Sequence, residues 1–135
     1  MPGYSGTPLP KKLGIKDGFY FALIDAPSDV ITALKPSLQK CTSSNDGKTP
    51  LDFAMLLSKS AVSLHKDFPK IAKNLSQAGM LWVSWPKKTS GVATDLNENI
   101  VREIGLAAGL VDVKVCAVTD VWSGLKFVRR LKDRK

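Results

Sequence analysis

GMLWVSWPKK (79–88), TSGVATDLNENIVREIGLAAG (89–109) and LVDVKVCAVTDVWSGLKFVRR (110–130) follow one another in the second half of a chain of 135 residues. The first block reads as a buried strand that Pro86 stops, followed by a Trp-Pro-Lys-Lys loop. The second reads as a capped helix. Thr94 or Asp95 stands at its cap, and Asp95 with Glu98 has the spacing of a capping box. Leu96, Ile100, Val101, Ile104 and Ala108 form its apolar face. Gly109 closes it, with Leu110 as the hydrophobic contact beyond. In the third block Val111, Val113, Val115 and Ala117 alternate with Asp112, Lys114 and Cys116, the period of a strand with one wet side. Leu125 to Val128 is its partner, across a loop holding Trp122, Ser123 and Gly124. An open α/β sheet ends this way when its last strand turns back antiparallel.

The upstream half extends the same alternation. Phe19 to Ile24 is a continuous apolar run, suited to a strand covered on both faces, and it ends in Asp25-Ala26-Pro27. Ser28 or Asp29 caps a short helix through Leu34, which Pro36 ends. Leu38 to Thr42 reads as a short edge strand, and Ser43 to Gly47 as a turn. Leu51 to Leu57, broken only by Asp52, reads as a central strand. Leu64, Phe68, Ile71, Ala72 and Leu75 then make one helix face, with a kink or restart expected at Pro69 behind Asp67. Gly79 fits the left-handed position after that helix. Strands alternating with helices imply a mostly parallel, Rossmann-like α/β sheet with helices on both faces. The expected strand order is 2-1-3-4-6-5, with the final strand antiparallel. Residues 1–16, rich in Pro and Gly, read as an extended arm pinned by Tyr4, Leu9, Leu13 and Ile15. Residues 17–130 form a single α/β domain, and 131–135 a basic tail.

A domain of this length buries roughly two thirds of its unfolded surface and needs no staples. Cys41 and Cys116 belong to no CxxC or Cys/His cluster and read as free thiols. The formal net charge is +8, much of it in the tail from Lys126 to Lys135. The Lys11–Lys12 and Lys87–Lys88 doublets add to it. Such a balance attracts polyanions, but no aromatic is interleaved with the tail after Phe127 and no nucleic-acid motif is present. MPGYSGTPLPKK lacks the apolar core of a signal peptide, and no apolar run nears the ~20 residues of a membrane span. The expectation is a cytoplasmic protein with no membrane partner.

LDFAMLLSKS, the following helix and LSQAGMLWVSWPK resemble the second half of a class I methyltransferase fold. MPGYSGTPLPKKLGIK, LWVSWPKKTSGVATDL and GLVDVKVCAVTDVWSGLKFVRR resemble a bacterial family catalogued as a domain of unknown function, number three-zero-five-two. The methyltransferase resemblance implies a glycine-rich turn after the first strand, where the backbone approaches S-adenosylmethionine, and an acid after the second strand for the ribose. Here the first turn is Asp25-Ala26-Pro27-Ser28, and no acid ends the edge strand at Cys41–Thr42. Side chains and a proline stand where close approach is needed. No cofactor is therefore expected.

Nucleophilic chemistry needs a base beside a nucleophile. His65 is the only histidine and lies off the apolar helix stripe; Cys116 has no visible partner. No metal-ligand spacing exists. Lys87-Lys88-Thr89-Ser90-Gly91 precedes a helix but is not a phosphate-binding GxxxxGK[ST] loop. No catalytic or metal-ligating residue is assigned. Open α/β sheets bind ligands at strand carboxyl ends. Trp85, Lys87, Lys88, Ser90 and Trp122 are therefore expected to converge with Asp25 and Ser58 around an anionic or planar small ligand. The function read from the sequence is a non-enzymatic binding or interaction module on a degenerate methyltransferase-like scaffold. The alternatives are a small enzyme or cofactor or nucleotide binder using the Trp85–Lys88 edge, and a nucleic-acid accessory protein using the basic surface.

Overall fold

A computed structural model of the chain describes residues 9–134. Tyr4, most of the expected arm and Lys135 lie outside the described residues. The elements run α1 (Leu9–Leu13), β1 (Tyr20–Ile24), α2 (Ser28–Leu34), β2 (Thr42–Ser43), β3 (Leu51–Leu57), α3 (Ala61–Lys73), β4 (Leu75–Pro86), α4 (Glu98–Ala107), β5 (Leu110–Ala117) and β6 (Trp122–Arg129). One six-stranded sheet has the order β2-β1-β3-β4-β6-β5. The pairs β2–β1, β1–β3 and β3–β4 are parallel; β6 runs antiparallel to both β4 and β5. The expected fold class, order and final antiparallel strand all hold.

Alternation along the strands divides the core in two. On one face Leu56, Leu81, Val83, Trp85, Leu125 and Phe127 pack under Leu64 and Phe68 of α3 and Val101 and Ile104 of α4. On the other, Phe53, Met55, Leu57, Trp82 and Trp122 pack under Leu13 of α1 and Val30 and Leu34 of α2. Phe68 meets Phe127 edge-to-face at 5.2 Å and 83°, a geometry worth about 0.5–1.5 kcal/mol beyond its buried area. Gly105 is what lets α4 sit so close. A Cβ there would lie 2.0 Å from the Phe127 ring.

Several local expectations are corrected. Residues 9–13, read as extended, form a helical turn. Leu13 is fully buried and its carbonyl accepts from Trp82 Nε1 at 3.0 Å. The segment before β2 is a 3-10 turn over Lys35–Leu38, so the edge strand shrinks to Thr42–Ser43. Helix α3 passes through Pro69 without a break, because Pro69 and His65 are both exposed and water can take the orphaned His65 carbonyl. Its C-terminus falls at Lys73, and Leu75 already belongs to β4. Arg129 closes that end, donating to the carbonyls of Ala72 at 3.2 Å and Leu75 at 2.6 Å. Gly79 therefore lies inside β4, where a Cβ would sit 2.5 Å from the Leu51 carbonyl; it serves close approach, not a left-handed turn. In β5 the apolar alternation does not mark the buried side. The strand bulges between Asp112 and Lys114 on the outer edge, leaving Val113 54% and Val115 48% exposed. Trp122 begins β6 and is not in the preceding loop.

The cap of α4 is also reassigned. Asn97 is the N-cap, and its Oδ1 accepts from Ile100 N at 2.9 Å. Asp95 instead reaches across to α3, where its Oδ1 accepts from Ala61 N at 2.8 Å. Thr94 Oγ1 donates to the Lys59 carbonyl at 2.7 Å. One loop thus ties two helix starts together, a long-range role that local spacing does not encode.

Candidate functional site

Asp25 follows β1, Ser58 follows β3, Lys87 follows β4, and Trp122 opens β6, so the expected residues share one edge of the sheet. They form two groups. Trp85, Lys87 and Lys88, with Asp95, Asn97, Glu98 and Ser123, line a cleft of about 670 Å³ between the end of β4 and the loop into α4. Asp25, Ser58 and Trp122, with Leu57, Lys59, Ser60 and Ser63, line a smaller one of about 270 Å³. The split follows from the pleat. In the β4–β6 ladder Trp85 stands opposite Ser123 and Pro86 opposite Trp122, so the two rings project to opposite faces. Each ring is only 6% exposed.

Two of the expected ligand groups serve the backbone. Ser58 Oγ donates to the Ser60 carbonyl at 3.0 Å and accepts from Ser60 N at 3.2 Å. Ser90 Oγ donates to the Lys87 carbonyl at 2.6 Å and accepts from Val92 N at 3.2 Å. Ser90 thereby holds the Lys87–Val92 loop in shape and lines neither cleft. Lys87 N donates to the Val121 carbonyl at 2.7 Å, which fixes the mouth of the larger cleft against β6.

The charges around the larger cleft are unequal in availability. Asp95 caps α3, and Glu98 forms an ion pair with Arg102, which also pairs with Asp112 at 2.9 Å. Lys87 is half-buried and Lys88 exposed, and neither pairs with a carboxylate among the described residues. The cleft therefore presents two uncommitted ammonium groups beside an indole edge. Glu98, Asn97 and Ser123 went unassigned by sequence reasoning. Asn97 directly before Glu98 was the available signal, masked by the equally plausible cap at Asp95.

Ser84 was also not singled out. It is fully buried opposite Gly124, and its hydroxyl has no partner among the described residues. A Cβ at Gly124 would lie 2.9 Å from Val118 and 3.1 Å from Trp82, so the backbone is drawn tight over this spot. A third groove, of about 430 Å³, runs along the open face beside α3, with Ala22, Ile24, Leu51 and Ile71 as its apolar walls.

The residues at the cofactor edge do not fit S-adenosylmethionine. Asp25 occupies the left-handed region at φ 58, with Ala26 and Pro27 behind it. This turn carries a side chain where the cofactor needs bare backbone. The shortened β2 brings Asp46 just beyond the strand, so an acid does follow it. That carboxylate is consumed locally. Oδ1 accepts from Lys48 N and Thr49 N, both at 2.8 Å, and Oδ2 from Thr49 Oγ1 at 2.8 Å. These bonds hold its pKa down at about 2. No helix is long and apolar enough to cross a membrane, and no cluster of three or more His, Cys, Asp or Glu could hold a metal, among the described residues.

No family model matches the chain, and no curated protein matches it. Solved structures do. Magnesium protoporphyrin IX methyltransferase from Synechocystis, with bound S-adenosylmethionine, superposes with a TM-score of 0.58 at 12% identity, covering 90% of this chain and 74% of that one. Precorrin-6y C5,15-methyltransferase from Geobacter metallireducens gives 0.60 at 12% identity, covering 90% and 86%. A pericyclic reaction enzyme gives 0.57 at 13% identity, covering 92% of this chain and 47% of that one. The scaffold is therefore methyltransferase-like. At these identities the likeness concerns the fold, on which sites of different chemistry are built.

Proposed function

We propose that the chain is a small-ligand binding module on a methyltransferase-like scaffold whose cofactor edge has been rebuilt, and that it is not itself a methyl-transferring enzyme. We take it to belong to the bacterial family three-zero-five-two, on the three sequence blocks quoted above. The observation that carries the binding role is the cleft over Trp85, where Lys87 and Lys88 lack carboxylate partners while Asp95 and Glu98 are engaged elsewhere. An anionic ligand with a planar part satisfies both features. Its charge meets the lysines and its flat face the indole edge, at the strand ends where open sheets place ligands. The start of α4, at Asn97 and Glu98, lines the same cleft, so the positive end of its dipole adds favourable polarity.

The test is intrinsic tryptophan emission against a library of anionic aromatic metabolites, with Lys87→Ala/Lys88→Ala as control. A hit should weaken at least tenfold in the double variant, which should fold normally because neither lysine is fully buried and neither pairs with a carboxylate among the described residues. Calorimetry with S-adenosylmethionine should show nothing tighter than about millimolar, ~−4 kcal/mol. Micromolar cofactor binding, or hits indifferent to the two lysines, would sink the reading.

A further inference from the structure

Away from the strand ends, the face that carries α1 gathers three lysines from three parts of the chain. Lys114 of β5 and Lys126 of β6 are direct partners in the antiparallel ladder, so their side chains leave the same face side by side. Trp82 of β4 is the next residue in that row. Lys12, at the end of α1, lies over them and is only 8% exposed. Lys114 Nζ donates to the Lys12 carbonyl at 3.0 Å. Lys126 Nζ lies 3.6 Å from the Cβ position of Gly14, whose φ of +81 turns the chain just past α1. Cys116 completes the patch on β5, next to Gly124.

Like charges directly opposite in a ladder repel, and partial burial makes the repulsion worse. Among the described residues, Lys114 and Lys126 have no carboxylate partner: the ion pairs there are Lys40–Asp17, Arg102–Glu98 and Arg102–Asp112. Burial, reinforced by the charge of Lys114, pulls the pKa of Lys126 below the ordinary lysine value. Burial pushes the pKa of the Cys116 thiol up, and the charges of Lys12 and Lys114 oppose that push only in part. A fold that holds two cross-strand ammonium groups together, without a carboxylate partner among the described residues, stores a repulsion that a bound anion would relieve.

We propose that Lys114 and Lys126, with Lys12 beside them, form a second site that binds a phosphate-sized oxyanion, either as the free ion or as the phosphoryl group of a small molecule. The compact, hydrated ammonium of lysine suits a single oxyanion bound as a point charge. The site is distinct from the Lys87–Lys88 cleft, because none of Lys12, Lys114 and Lys126 lines that cleft.

The experiment is thermal melting and titration calorimetry of the full chain with inorganic phosphate and with glycerol 3-phosphate, against chloride at matched ionic strength. Phosphate should raise Tm saturably, as a ligand of the native state does. Response to phosphate alone assigns the site to the free anion; response to both assigns it to a phosphoryl group. Lys126→Gln should bind phosphate at least tenfold more weakly and, with no anion present, should melt above the unsubstituted protein because the repulsion is gone. Lys126→Arg, which keeps the charge, should retain the response. Lys114→Gln should lose it too, and provides the same readout if Lys126→Gln does not fold. Lys87→Ala/Lys88→Ala should bind phosphate unchanged. A phosphate effect no larger than that of chloride, or full binding in Lys126→Gln, would overturn the proposal. So would loss of phosphate binding in the Lys87/Lys88 variant, which would place the anion in the other cleft.

Discussion

Trp85 and Trp122 stand one rung apart in the β4–β6 ladder, yet their rings enter opposite halves of the core. Two adjacent strand ends thus plug both faces of the sheet at one edge. Trp85→Ala and Trp122→Ala should each cost ~3–5 kcal/mol in denaturant unfolding, as buried aromatic truncations do. Only Trp85→Ala should also disturb ligand binding at the Lys87–Lys88 cleft, which Trp122 does not line. Equal loss of binding in both variants would show that the two clefts act as one.

Gly105 sets the distance between α4 and the sheet. Gly105→Ala gains helix propensity of about 1 kcal/mol, yet its methyl would enter the Phe127 ring. Overpacking of this kind typically costs 1–3 kcal/mol, and here it also pushes Phe127 against Phe68. The expected outcome is a net loss of stability in a urea melt, rescued in part by Phe127→Leu. A stabilised Gly105→Ala variant would mean that α4 can slide freely.

Asp95 and Asn97 accept from the starts of different helices, although only Leu96 lies between them. Asn97→Ala should cost about 1 kcal/mol by removing the acceptor for Ile100 N. Asp95→Ala should cost a similar amount by freeing Ala61 N of α3. Amide hydrogen exchange separates the two. Protection should fall at the start of α4 in the first variant and at the start of α3 in the second.

The carboxyl of Asp46, held down at about 2 by its bonds to Thr49 and Lys48, makes the turn before β3 sensitive to acid. A folded pKa below the unfolded value means that the stabilisation is present above the ordinary value of 3.8 and is lost as pH falls through 2. Asp46→Asn should therefore flatten the decline in stability between pH 4 and pH 2 relative to the unsubstituted protein. Parallel acid titrations of the two, followed by circular dichroism, read the difference directly.

The sequence by itself determined the sheet. Apolar runs at 19–24, 51–57 and 80–85, separated by amphipathic helices, leave few ways to bury their surfaces, and the right-handed crossover rule prunes the possible orders to a handful. Gly109 and the Leu110–Val128 strand pair likewise declared the antiparallel finish. Tertiary structure decided what local spacing cannot carry. Asp95 looked like the cap of its own helix, because a capping box is judged within four residues, while its actual partner, Ala61, lies 34 positions away. Arg129 looked like part of a free basic tail, yet it closes α3 across the sheet. The seven expected site residues shared an edge in sequence logic. Whether they met depended on side-chain direction, and in the β4–β6 ladder a shift of one residue sends a ring to the other face. Lys114 and Lys126 became neighbours only through the register of two strands, which no pattern within either one specifies.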